Sequence, residues 1–564
     1  MALDAAAADP GAGTPPSAGT AASRGAPVAR AAAQLTVLTM ASRLAGFARM
    51  LVFVWAVGAA TLGDIYSSAN TVPNIIFEIV AGGALASLVV PLLARPVTAG
   101  DTAAVGATAS ALLTWVLTLL VPAAIGVALA AEPLIRLLAP RHTAPATIAV
   151  GADMLRVFAP QLPLYGIGIV LTGVLQAHRR FAWPVLAPLL SSVTAVAVYL
   201  TFSAVAGRKP HLGSVSGGAL LILSGGTTLA VVVLSLCLLI PLRRLQLPVR
   251  LTYRFAPEAA LAVRRLALAG VVSVAAQQLS LGLAIALAWG GPDGSVVLYG
   301  LAQTVYLLPW AVLALPIATS AYPGLAQAGA HGDRAGYAAI LAPATRGLVF
   351  ASCLGAAALG VLAQPVAMVL AVVTREPQHA AGIAAGVAGF APGLVGYALF
   401  ALLSRALYAR GDTRLAAVAT LVGWGGVALA SVALAVALPR ADRVAALTIA
   451  NSAGMLLLGA LLLAVVARRA GTQALTGLGR SAAVAVGAAA AATATGLAVS
   501  HAGWPVTVPA TPAVGPALVQ GMLCGAVVAL VFITVAYSFD RRDVGPALAA
   551  LTRRARRRTA GRAP

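Results

Sequence analysis

Phe158-Ala159-Pro160-Gln161-Leu162-Pro163-Leu164-Tyr165 recurs in outline, 232 positions further on, as Phe390-Ala391-Pro392-Gly393-Leu394-Val395-Gly396-Tyr397. At the same ungapped offset Pro91 falls on Pro323 and Pro133 on Pro365. Leu171, Leu175 and Ala177 then fall on Leu403, Leu407 and Ala409. Aliphatic matches are cheap in an Ala- and Leu-rich chain, but several prolines and a tyrosine in one register are not. Each copy lies inside an apolar run long enough to cross a membrane. The reading is therefore an all-α integral membrane protein built from two copies of one helical unit.

Outward from that stretch, apolar runs of about 20 residues, the length that crosses a bilayer core, recur from end to end. They predict about fourteen transmembrane helices: 33–58, 67–93, 105–129, 150–176, 183–205, 219–241, 264–289, 296–322, 344–370, 382–407, 414–437, 444–467, 480–500 and 516–538. The repeat pairs the first six with the next six. Six is even, so both lobes keep one orientation, related by an axis along the membrane normal, as in transporters whose halves rock about a central cavity. The predicted divisions are a disordered cytoplasmic tail, 1–32; a first lobe, 33–241; an amphipathic cytoplasmic linker, 242–263; a second lobe, 264–467; two further helices within 480–538; and a basic cytoplasmic tail, 539–564.

Composition agrees. The 564 residues are 60% hydrophobic and only 9% charged, with a mean hydropathy of +0.95. So few charges could not keep a soluble surface of this size wet. The net charge of +22 would suggest nucleic acid in a soluble chain, but here the charges sit in short loops between spans. No nucleic-acid partner is expected. Arg179 and Arg180, the stretch from Arg243 to Arg265, Arg405 to Arg414, Arg468, Arg469 and the C-terminal tail all fall on one side. By the positive-inside rule that side is the cytoplasm, which puts both termini there in a multi-pass protein of the cell inner membrane. Cys237, Cys353 and Cys524 stand alone in apolar runs and read as small buried hydrophobes.

Polar residues inside spans are the candidate functional groups. Ser42-Arg43-Leu44-Ala45-Gly46-Phe47-Ala48-Arg49 puts two arginines in the first span. A charge at the bilayer centre costs about 2.5–3.5 kcal/mol on insertion scales, so such residues face a wet cavity or a partner. Arginine stays protonated and forks onto phosphate, so Arg43 and Arg49 are candidates for an anion site that holds a phosphate headgroup, with snorkelling to the cytoplasmic surface or a structural ion pair as the alternatives. In the second span Asn70, Pro73, Asn74 and Glu78 are candidate cavity-lining or gating groups. Pro73 frees a backbone carbonyl that Asn70 or Asn74 could satisfy, and Glu78 could pair with Arg43 or Arg49 or take a proton or cation. Gln277, Gln303 and Tyr306 are uncharged cavity candidates, with helix–helix glue as the alternative. The sequence contains no G-x-S-x-G, H-E-x-x-H or Walker pattern, so a transporter and not an enzyme is expected, with no metal and no cofactor. Coupling to the membrane potential or to a monovalent cation stays open.

These segments carry a resemblance. Arg43 to Arg49 resembles the S-R-x-x-G-x-x-R opening of the MurJ/MviN family of lipid II flippases, in the MOP exporter superfamily. Asp64 through Asn74 resembles that family's D-x-x-x-x-A-x-x-x-P-N motif, and Gly82 through Pro91 its small-residue run into Val-Pro. Leu175 through Pro188 resembles its connection after helix 4. Arg405-Ala406-Leu407-Tyr408-Ala409-Arg410-Gly411-Asp412-Thr413 resembles its connection after helix 10. The resemblance implies two six-helix lobes plus helices 13 and 14, which would form a groove for a lipid tail. It implies an undecaprenyl-diphosphate-linked disaccharide-pentapeptide as substrate, membrane lipids around it, and cell-wall synthesis proteins as candidate partners. It gives Arg43 and Arg49 the diphosphate. Where well-studied members carry two more cavity arginines, this chain has Phe77 and Thr304. The expected function is flipping of lipid II by alternating access; the alternatives are a flippase for another polyprenyl-diphosphate-linked glycan and a non-transporting scaffold homologue.

Overall fold

A computed structural model describes residues 18–545 except 83–88, 141–142, 249, 251, 254–256 and 504–513. The described residues form α1 (Ala18–Ala56), α2 (Thr61–Phe77), α3 (Val89–Thr98), α4 (Thr102–Leu129), α5 (Ala131–Leu138), α6 (Pro145–Phe158), α7 (Gln161–Ala177), α8 (Ala182–Ala206), α9 (Gly217–Leu236) and α10 (Leu239–Arg243). They continue with α11 (Pro257–Ala288), α12 (Ser295–Pro309), α13 (Leu315–Ala330), α14 (Arg334–Thr374), α15 (Ala380–Phe390), α16 (Gly393–Ala409), α17 (Thr413–Ala437), α18 (Arg443–Ala470), α19 (Leu478–Gly503) and α20 (Val514–Phe539). Twelve of the helical runs are long and apolar enough to cross a membrane, or 13 when α15 and α16, bent by 45°, count as one broken span. The remaining expected span, 67–93, corresponds to α2, a π-helical turn at Glu78–Gly82 and α3, with 83–88 outside the described residues.

The 232-residue offset is written into the helix boundaries. α1 ends at Ala56 and α11 at Ala288; α4 starts at Thr102 and α14 at Arg334; α7 spans Gln161–Ala177 and α16 spans Gly393–Ala409. Both half-spans before these last two break after the repeated Phe-Ala-Pro, because proline cannot donate to the ladder of the preceding turn. The π turn at Glu78–Gly82 has its counterpart at Trp310–Ala314. Asp101 caps α4 by accepting from Ala104 N at 2.8 Å, and Asp333 caps α14 by accepting from Gly336 N at 2.8 Å. Gly100 and Gly332 precede those caps with φ of 70° and 66°, a left-handed turn that glycine adopts without penalty.

Packing inside each lobe relies on small residues that let helix backbones meet. A side-chain carbon at Gly396 of α16 would run into the Met455 backbone of α18, and one at Gly454 into Val427 of α17. α19 and α20 pack against each other and against α14, on the flank of the second lobe.

Two expectations are corrected. The tail read as disordered over 1–32 is helical from Ala18, continuous with the first span. Alanine, the best helix former, recurs through 18–33 and outweighs the scattered Gly and Pro. The linker expected over 242–263 is shorter, since α10 runs to Arg243 and α11 already starts at Pro257; the described residues between Arg244 and Tyr253 are in no regular element. Arg250 N donates to Ser110 Oγ at 2.9 Å and Thr252 N to Thr114 Oγ1 at 3.1 Å, both on α4. Tyr253 completes the contact through Trp115 Nε1 (3.2 Å, to its carbonyl) and Thr118 Oγ1 (3.0 Å, to its hydroxyl). The hydroxyls of α4 supply the hydrogen bonds that irregular backbone needs beside lipid.

Candidate functional site

At one end of the bundle the two lobes are tied together. Asp64 of α2 accepts from Gly294 N at 2.8 Å and Val297 N at 3.0 Å, satisfying free N–H groups at the start of α12. Trp289 Nε1 donates to Ser68 Oγ at 2.9 Å. Lys209, after α8, reaches Glu376, after α14, at 3.2 Å and also donates to the Thr374 and Arg375 carbonyls. Ala59 N adds a bond to Glu376 Oε1 at 3.3 Å. These hydrogen bonds join the lobes at one end. Burial works against the Glu376 charge, but the His379 hydrogen bond and the Lys209 ammonium outweigh it and hold the carboxyl below its usual range.

Below that closure lies a cavity of about 600 Å³, between α1, α2, α7, α8 and α9 of the first lobe and α11 and α12 of the second. Arg43 and Arg49 line it, and among the described residues they are its only charged lining groups. The six-residue spacing separates them by about 9 Å along one broad face of α1. Among the described residues neither arginine has an ion-pair partner. Two guanidinium groups and no carboxylate among the described lining residues give this space a positive wall.

Asn70, Asn74 and Gln303 also line the cavity. Pro73 is buried in α2 and leaves the Ala69 carbonyl without its helical donor; Asn74 Nδ2 donates instead to the next carbonyl, that of Asn70, at 2.9 Å. The Glu78 N–H is shared between the Asn74 and Ile75 carbonyls as α2 passes into its π turn. Glu78 itself is exposed, does not line the cavity and pairs with neither arginine. Gln277 is half-buried on α11, away from the lining. Tyr306 is placed differently from expectation: it does not line the cavity, is 4% exposed, stacks on Phe390 with ring centroids 4.8 Å apart, and belongs to a buried apolar cluster shared by the two lobes.

Phe77 and Thr304 take separate paths. Thr304 lines the cavity and donates to the Gly300 carbonyl at 2.8 Å. Phe77 lies against Tyr165 with ring centroids 4.9 Å apart and lines a smaller apolar pocket of about 230 Å³ within the first lobe. The sequence reading missed Tyr66, Tyr199 and Thr227, which line the cavity and are joined by hydroxyl contacts of 3.0 Å (Tyr66 to Tyr199) and 2.7 Å (Tyr66 to Thr227). It also missed the Lys209–Glu376 contact. Both come from different helices, and no local spacing announces them.

Comparison with known proteins agrees with this geometry. The profile of the family described as "Lipid II flippase MurJ" matches residues 53–510. The lipid II flippase MurJ of Burkholderia cenocepacia is 26% identical over 400 residues, covering 68% of this chain and 74% of that protein. A solved structure of a lipid II flippase MurJ in an inward closed conformation superposes with a TM-score of 0.67 at 16% identity, covering 90% of this chain and 99% of the other. An inward-facing multidrug resistance MATE transporter of the MOP superfamily shares the fold, with a TM-score of 0.60 at 15% identity over 78% of this chain and 99% of its own. The repeated lobes, the cavity between them and the match across most of its length show that this multi-pass membrane protein belongs to the MurJ family of lipid II flippases.

Proposed function

We propose that the chain moves the undecaprenyl-diphosphate-linked disaccharide-pentapeptide from the inner to the outer leaflet of the cytoplasmic membrane by alternating access. The observation that carries this reading is the cavity between the lobes whose only charged lining groups, among the described residues, are Arg43 and Arg49, neither of them ion-paired there. Guanidinium groups bind a diphosphate through charge-assisted, bidentate hydrogen bonds, and the same charges repel a cationic drug. The basic loops belong in the cytoplasm under the positive-inside rule, with both termini there. The end held by Asp64, Lys209 and Glu376 then faces outward, and the headgroup loads from the cytoplasm. An inside-negative potential favours outward movement of an anion by about 2.3 kcal/mol per charge per 100 mV. It opposes return of the empty, doubly positive cavity, which is where a monovalent cation or anion would matter.

A second reading, another glycan on the same polyprenyl diphosphate, is favoured by Phe77 and Thr304, which leave the cavity two cations and no more. Rescue of a strain depleted of its own lipid II flippase separates the two. Growth, together with translocation of lipid II in cells, supports the first; failure to rescue at normal membrane abundance refutes it.

A further inference from the structure

The hydroxyls of Tyr199, Tyr66 and Thr227 form a chain whose direction can be deduced. Thr227 Oγ1 lies 2.7 Å from the Leu223 carbonyl, which has no proton to give, so the threonine donates there. Its one proton is then spent, and the 2.7 Å contact with Tyr66 must be donated by Tyr66. Tyr66 has spent its proton in turn, and the 3.0 Å contact with Tyr199 must be donated by Tyr199. The relay runs Tyr199 to Tyr66 to Thr227 to Leu223, and it ends at an oxygen that can only accept. Tyr199 lines the cavity, and among the described residues no other group donates to it.

Asn70 stands one turn after Tyr66 on α2 and lines the same cavity, and its Oδ1 is buried without a donor. Arg43 and Arg49, on α1, bring only donors. We propose that the Tyr199 end of the cavity is a subsite for hydrogen-bond donors of the headgroup, sugar hydroxyls or N-acetyl amide N–H groups, separate from the arginines that take the diphosphate. The proposal rests on the flippase reading above and adds to it a residue that recognises the sugar. A diphosphate without sugar brings no sugar hydroxyl or amide N–H to this subsite, and at neutral pH most of it has lost its last phosphate proton.

Thr227 sets the polarity. Thr227→Val removes the acceptor that fixes Tyr66, so Tyr66 is free to donate to Tyr199 and the Tyr199 proton turns toward the cavity. The test measures binding of lipid II and of undecaprenyl diphosphate to the purified full-length chain in nanodiscs by native mass spectrometry. One neutral hydrogen bond contributes about 0.5–1.5 kcal/mol, so Tyr199→Phe should weaken lipid II binding about two- to tenfold and leave undecaprenyl diphosphate unchanged. Thr227→Val should do the same with both tyrosines in place, and Thr227→Ser should restore the preference. Equal loss for both lipids, or no loss for either, overturns the subsite while leaving the flippase reading standing. A wild-type chain that binds neither lipid overturns both.

Discussion

Lys209 Nζ lies 3.2 Å from Glu376 Oε1, joining the loop after α8 to the loop after α14 across the lobe boundary. The carboxylate also takes the Ala59 N–H and the His379 ring, so one side chain of the second lobe holds three groups, two of them from the first lobe. Alternating access requires that this junction break. Glu376→Gln leaves the size and loses the charge, which for hydrogen bonds to charged groups costs about 1.5–3 kcal/mol. In a chain freed of its three native cysteines, Ser67→Cys should then react faster with an impermeant thiol reagent added from outside, by about tenfold or more. An unchanged labelling rate would show that the contact does not hold the lobes shut.

The same carboxyl gives a pH dependence. Its value in the closed state lies below the usual carboxylate range, with burial outweighed by His379 and Lys209. A depressed pKa means a stabilisation that is full above the usual carboxylate range and is lost as pH falls through the lower, closed-state value. Outside labelling of Ser67→Cys should therefore rise on acidification below the ordinary Glu range. With Glu376→Gln in place the acid-dependent increment should vanish, and an increment that survives assigns the titration to another group.

Arg49 tests the anion site. Arg49→Ala should abolish rescue and reduce headgroup translocation by about one to two orders of magnitude, the value of a charge-assisted hydrogen bond, with normal abundance in the membrane. Arg49→Lys should recover only part of it, because an ammonium cannot fork onto two phosphate oxygens. Full activity of Arg49→Ala in a translocation assay would remove the residue from the mechanism.

How much of this was legible in the sequence follows from what each residue answers to. Arginines and a proline inside apolar spans carry a cost visible without a structure, so Arg43, Arg49, Asn70, Pro73, Asn74 and Gln303 were found, and all but the proline line the cavity. Tyr306 was misread because tyrosine is as much at home in an aromatic core as at a wet wall, and only its neighbour Phe390 decides. Gly100-Asp101 and Gly332-Asp333 were legible at the 232-residue offset but went unread, since a two-residue match is weak until its caps are seen. The contacts that bring Tyr199 and Thr227 to Tyr66, and Lys209 to Glu376, join residues more than a hundred positions apart, and no period or motif encodes that.

Gly396 tests the packing of the second lobe. A methyl group there has no room, because the Met455 backbone of α18 already occupies the place. Gly396→Ala must push α16 from α18, and overpacking of this kind costs about 1–3 kcal/mol. The midpoint of thermal unfolding in detergent should fall by several degrees, whereas Gly347→Ala, with nothing within 4 Å of the added carbon, should leave it in place. Equal midpoints for the two variants would deny that close backbone approach holds this lobe.

The last prediction concerns the segment between the lobes. Gly106, Ser110, Thr114 and Thr118 recur every four residues along α4, and Pro248, Arg250, Thr252 and Tyr253 meet that stripe along about 18 Å. A side-chain carbon at Gly106 would meet the Pro248 ring at 2.7 Å, so a larger residue cannot be added without lifting the segment. Gly106→Leu should break the register in which Ser110 and Thr114 take the backbone N–H groups of Arg250 and Thr252. The tyrosine side chain spans the gap through the 3.0 Å hydroxyl contact, so cysteines at Thr118 and Tyr253 should be cross-linked by a short bifunctional thiol reagent in the parent chain and at least fivefold more slowly with Gly106→Leu. If transport requires the lobes to rock, a segment anchored to one lobe and leading directly into α11 of the other sets how far they can part. Loss of the cross-link with full translocation would make the stripe a passive dock; loss of both would make it part of the moving machinery. An unaffected cross-link would show that the four small residues do not hold the segment.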